Sequence, residues 1–89
     1  MVAERAVVVK NRAGIHARPS SEIVKTAARF ASSVTLALDG LEVNAKSIMG
    51  VMMLAAPFGA TVTLRAAGED AEAAVNAMAE LFASGFREA

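Results

Sequence analysis

Cysteine, tryptophan and tyrosine are absent from this 89-residue chain, and histidine occurs once. Without cysteine there can be no disulfide, no thiolate nucleophile and no thiolate-held metal, which agrees with a reducing, cytoplasmic setting. The four phenylalanines are the whole aromatic content, and nine Lys and Arg balance nine Asp and Glu. A surface that follows nucleic-acid phosphates and stacks on bases needs a basic excess and aromatic platforms, so nucleic acid is not an expected partner. The opening residues, Met1-Val2-Ala3-Glu4-Arg5, do not form the charged-then-apolar pattern of a secretory leader. A long apolar run is also missing. Ile48 to Leu64 carries no charge over 17 residues, but Pro57-Phe58-Gly59 interrupts it. A spanning helix needs about 20 apolar residues, so membrane insertion is not expected.

What is present suits one domain over residues 1–89 with one modest core. Hydrophobic residues make up 55% of the chain, many of them alanine, so the core must lean on Leu, Val, Ile, Met and the four Phe. Valine-rich Arg5 to Lys10 reads as a first strand and Asn11 to Gly14 as a polar turn. From Ala17 the period becomes helical, with Ile23, Ala27 and Phe30 as an inward stripe, and Ser32-Ser33 end the helix. Val34, Leu36 and Leu38, then Leu41 and Val43, alternate with smaller or polar residues around Asp39-Gly40. That dipeptide signals a β-hairpin, because both turn positions require positive φ. Ser47 opens a short helix from Ile48 to about Leu54, and Thr61 to Ala66 forms a fourth strand. Gly68-Glu69-Asp70 introduces a last helix with acidic residues near its positive end. Val75, Met78, Ala79 and Phe82 give that helix an apolar face, and Gly85 stops it. The order β-α-β-β-α-β-α predicts an α+β fold, one antiparallel sheet with its helices on one face.

Two segments carry chemistry. In Gly14-Ile15-His16-Ala17-Arg18-Pro19, the single histidine sits where a turn becomes a helix. Pro19 is tolerated there because first-turn amides have no intrahelical acceptor. The amides of Ala17 and Arg18 point out of the helix end and make an anion site with the helix dipole. Arg18 adds a fixed charge with planar donors suited to phosphate oxygens. An imidazole nitrogen can attack phosphorus near neutral pH, and the group then remains transferable. A surface or capping histidine beside a solvated arginine fits the same residues. A metal role is the weaker reading, since no second His or any Cys completes a site.

The second segment is Asn44-Ala45-Lys46-Ser47-Ile48-Met49-Gly50-Val51-Met52-Met53. Ser47 is an N-cap candidate. Ile48, Met49, Met52 and Met53 cannot all face one core from so short a helix, so some must be exposed, where adaptable methionine suits several partners. Simple core packing is the alternative for each methionine. The chain shows no nucleotide-binding loop and no carboxylate metal site, which argues against an autonomous enzyme, and no cofactor is expected.

Together the two segments resemble the HPr family, the phosphocarriers of the bacterial phosphoenolpyruvate-dependent phosphotransferase system. Gly14 to Pro19 matches the family's active-site motif, and Lys46-Ser47-Ile48-Met49-Gly50-Val51 matches its regulatory-serine motif. The resemblance covers nearly the whole chain. It implies an open-faced β-sandwich, a four-stranded antiparallel sheet covered by three helices. It implies that His16 is phosphorylated at Nδ1 by enzyme I and donates to an enzyme IIA domain of sugar uptake, with Arg18 stabilising the phosphorylated ring. Ser47 would be the target of an HPr kinase/phosphorylase. Ile48, Met49 and Met52, flanked by Lys25 and Lys46, would dock partners. A monomer is the family expectation. The stretch from Lys46 to Ala56 also resembles the nitrogen-branch relative NPr, a regulatory phosphocarrier. The catabolite-repression homologue lacks the histidine, so His16 argues against that assignment. A regulatory interaction module, acting mainly through the Ser47 and Met52 surface and binding a transcription factor, is the remaining alternative.

Overall fold

The computed structural model describes residues 1–87. The chain runs β1 (Val2–Val8), α1 (Ala17–Ala28), β2 (Ser33–Leu38), β3 (Leu41–Asn44), α2 (Ile48–Leu54), β4 (Thr61–Ala67) and α3 (Ala71–Ala83), and closes on a short 3-10 turn over Gly85–Arg87. The four strands form one sheet in the order β1-β4-β2-β3, with every neighbouring pair antiparallel. No helix among the described residues is long and apolar enough to cross a membrane.

Period-2 alternation makes the sheet two-faced. Val34 and Leu36 of β2, Val43 of β3, and Val62, Leu64 and Ala66 of β4 are buried. Thr61, Thr63 and Arg65 between them are exposed. The helices cover only the inner face. Helix α3 lies against β1 and β4, α2 packs on β2 and β3, and α1 packs on both other helices. Ile23 and Ala27 of α1, Val51 and Leu54 of α2, and Val75, Met78 and Phe82 of α3 close the core. On the open face, Glu4 and Arg65 sit opposite one another across β1 and β4 and form an exposed ion pair at 3.5 Å. The architecture is thus the α+β layer that the element order predicts and the open-faced sandwich that the resemblance implies.

Helix α1 ends at Ala28, before Phe30 and Ser32, and four other details differ from the sequence reading. Strand β1 starts at Val2, not Arg5, and ends at Val8, not Lys10. Its early residues have little apolar pattern because an edge strand on a half-open sheet needs little. Val9 is fully buried but pairs with the turn before β4, donating to Ala60 O at 2.9 Å and accepting from Gly59 N at 2.8 Å. The phenylalanines do not all serve the core. Phe82 and Phe86 meet edge-on at 5.0 Å between centroids, whereas Phe58 is 57% exposed and Phe30 is half-buried beneath the Arg29 guanidinium. Leu41, expected to alternate inward, is exposed at the hairpin turn.

The fourth detail is Asp70. It occupies the N-cap of α3 but makes no side-chain cap bond to that helix. Its carboxylate instead accepts from Ala31 N at 2.9 Å, Ser32 N at 2.9 Å and Ser32 Oγ at 2.5 Å. Hydrogen bonds from the Ser32 hydroxyl, and then from the Ala31 and Ser32 amides, lower the Asp70 pKa from 3.8 to about 2. The carboxylate fastens the α1–β2 connection to the start of α3.

Candidate functional site

His16 takes the N-cap of α1 with extended backbone (φ −101°, ψ −163°), and its side chain makes no cap bond. The capping position is therefore used to place the ring. The residues before it are firmly held. Ile15 N donates to Ala56 O at 2.8 Å and Gly14 N to Asn11 O at 3.0 Å. Asn11 Nδ2 reaches back to Gly14 O at 2.6 Å. Gly14 has φ +73°, and a Cβ there would lie 2.8 Å from Ala56 O and 3.1 Å from Pro57 Cα. Glycine is required on both counts, by the backbone angle and by the close approach of the segment after α2.

On the other side of His16, the helix starts at once. Ser20 N donates to His16 O at 2.9 Å, the first helical turn. Pro19 and Ser20 are buried, whereas His16, Ala17 and Arg18 are exposed. The arrangement puts an imidazole, an arginine and the amide end of a 12-residue helix together at the surface. This is where a helix favours an anion, since its first backbone N–H groups point outward along the dipole. A groove between α1 and α3, lined by Arg18, Glu22, Thr26, Arg29, Glu80 and Ser84, opens beside it. An exposed ring can enter the active site of another protein, which a recessed ring could not do.

The second segment lies alongside. Ser47 is the N-cap of α2, and its Oγ accepts from Gly50 N at 3.1 Å. Lys46, expected in a partner surface, is half-buried and donates through Nζ to Phe30 O at 2.8 Å, tying the end of α1 to the start of α2. Lys25 is exposed in the last turn of α1. Ile48, Met49 and Met52 are exposed, as their assignment to a docking patch requires, and so are Met53 and Phe58. Neither of those two was assigned to the patch from sequence. The signal available was Met53 at i+4 from Met49, and Phe58 inside a Pro-Phe-Gly turn that leaves no neighbour to cover it.

The sequence model of the family described as "PTS HPr component phosphorylation site" matches residues 3–84. The chain belongs to the HPr family. The phosphocarrier protein HPr of Xylella fastidiosa (strain 9a5c) is 47% identical over 85 residues, 96% of each chain. That of Treponema pallidum is 49% identical over 84 residues, covering 94% of this chain and 96% of the relative. Among solved structures, HPr-C-His from Thermoanaerobacter tengcongensis superposes with a TM-score of 0.94 at 42% identity, covering 98% of both chains. The HPr-family match spans the His16 loop, Ser47 and α2.

Proposed function

We propose that this protein is a phosphocarrier that accepts a phosphoryl group on His16 from phosphoenolpyruvate-charged enzyme I and passes it to an enzyme IIA domain of sugar uptake. The observation that carries this reading is an exposed imidazole at the N-cap of α1 with Arg18 two residues on, within the span that matches the family. The lone pair of Nδ1 attacks phosphorus, the donor's bond to phosphorus breaks, and the electron pair leaves with the donor. Arg18 and the amide end of α1 face the transferred oxygens and offset their charge. The same groups serve the return step, so the site favours neither direction strongly. The carrier has no turnover of its own and works in the cytoplasm as a monomer, without a metal.

Ile48, Met49 and Met52 form the apolar contact for both partners in this reading, and Lys25 adds positive charge at its edge. Ser47 is the regulatory position. A phosphate there sets negative charge beside Ile48 and Met49 and slows transfer by repelling an acidic partner surface. A serine kinase/phosphorylase would add that phosphate, and a transcription factor could read it on the same face. Replacing Ser47 with aspartate should slow transfer from enzyme I, and an unchanged rate counts against the regulatory role.

The deciding experiment incubates the purified protein with phosphoenolpyruvate and enzyme I and records intact mass before and after acid. One phosphoryl group, lost in acid and absent from His16→Ala, is the expected result. Enzyme I from the sugar branch and from the nitrogen branch are used in parallel, and the faster donor assigns the branch. Failure with both, using folded protein, defeats the carrier reading in favour of a regulatory interaction module.

A further inference from the structure

Three of the five methionines of the chain stand on one short helix, and all three reach solvent: Met49 is 70% exposed, Met52 46% and Met53 67%. They are spaced i, i+3 and i+4, so they share one face of α2. The opposite face is occupied by Val51 and Leu54, both buried. The core therefore does not depend on the thioethers. Met78 is fully buried in α3, and Met1 is exposed just before β1. Exposed thioethers are the sites at which methionine oxidation begins, and the product is a polar sulfoxide in place of an adaptable apolar chain. The bond from Ile15 N to Ala56 O also joins the loop that carries His16 to the segment just beyond the end of α2.

We propose that Met49, Met52 and Met53 are an oxidation site for peroxide-class oxidants, and that their conversion to sulfoxides shuts off docking at the face that serves His16. This rests on the carrier reading and adds regulation to it. In each event a sulfur lone pair attacks one peroxide oxygen and the O–O bond breaks. The departing oxygen takes up the proton lost from the transferred oxygen and leaves as water (as an alcohol from an alkyl hydroperoxide), and sulfur gives up two electrons. A sulfoxide oxygen buried without a donor at an apolar interface disfavours the complex, while in the isolated protein it remains hydrated. The fold is kept and partner affinity is lost.

The test treats the whole protein with hydrogen peroxide, maps sulfoxides by peptide mass, and measures phosphorylation of His16 by enzyme I over a range of carrier concentrations. Oxidation at positions 49, 52 and 53 with Met78 intact should raise KM about tenfold or more, with kcat nearly unchanged. Methionine sulfoxide reductases should restore the KM. In a Met49→Leu, Met52→Leu, Met53→Leu variant, which retains Met1 and Met78, peroxide should leave the rate as it was before treatment, whatever that starting rate is. An unchanged KM in the oxidised natural protein overturns the proposal, and so does an equal loss in the leucine variant. Untreated protein that gains no phosphoryl group defeats the carrier reading itself, and the regulation with it.

Discussion

At the scale of single residues, what matters is how rigidly the segment before His16 is held. Gly14 combines a left-handed backbone angle with backbone atoms of Ala56 and Pro57 in the space a side chain would fill. Gly14→Ala should cost about 2 kcal/mol or more, since the angle alone costs about 1–2 kcal/mol in an L-residue. Urea unfolding measures that loss, and the phosphorylation rate should fall with it because the ring is displaced. Ser20 presents the opposite case. It is fully buried one turn after His16, and its Oγ has no hydrogen-bond partner. Removing an unsatisfied buried hydroxyl removes its desolvation cost, and alanine has the better helix propensity. Ser20→Ala should therefore stabilise the protein by about 1 kcal/mol, seen as a higher urea midpoint at unchanged slope. The candidate site residues at this scale were legible in the sequence because their pattern is rare. One histidine followed by Ala-Arg-Pro can hardly be missed, and Ser47 has the spacing of a cap. Ser20 was not legible as an orphan, since serine near a helix start is ordinarily solvated.

At the scale of elements, legibility followed how local the determining interaction is. Asp39 and Gly40 adopt φ of 49° and 85°, as the hairpin signal requires. The limits of β1 were misplaced because they depend on β4, some 60 residues away in sequence: Val2 pairs with Ala67 and Val8 with Thr61. The end of α2 was placed correctly, but its manner was not foreseen. Ala55 ends the helix in the left-handed conformation, φ 50° and ψ 40°, with its N–H on Met52 O. Glycine is the residue that adopts this cap without a Cβ penalty. Ala55→Gly should stabilise by up to about 1 kcal/mol, the left-handed penalty being partly offset by the greater freedom of an unfolded glycine. Thermal unfolding checks the sign. The strain lies between the methionine face of α2 and the Ala56 carbonyl that holds Ile15, so a relaxed cap should also alter the phosphorylation rate measurably. An unaltered rate would show that the strain has no part in placing His16.

At the scale of the whole molecule, the sheet order β1-β4-β2-β3 pairs the first strand with the last, and periodicity alone does not specify it. Asp70 is the clearest case of a residue whose role only the assembled fold reveals. In the sequence it reads as an acidic residue at a helix start, yet it bonds 38 and 39 residues back, to Ser32 and Ala31. Its pKa near 2 in the folded protein, against 3.8 when unperturbed, gives the fold a defined acid response. Above about pH 4 the carboxylate is charged in both folded and unfolded chains, and the full stabilisation is present. As pH falls from 4 towards 2 the unfolded chain takes up the proton first, and the stabilisation drains away. Below 2 both states are protonated and the contribution is gone. Asp70→Asn removes the charge and keeps the shape. The urea midpoint of the natural protein should exceed that of the variant by a constant amount down to pH 4, and the gap should narrow between pH 4 and 2. Other carboxylates titrate in both proteins and cancel in the difference. A gap of the same size at pH 2 and pH 7 would mean that Asp70 acts through packing alone and that its charge does not hold the α1–β2 connection to α3.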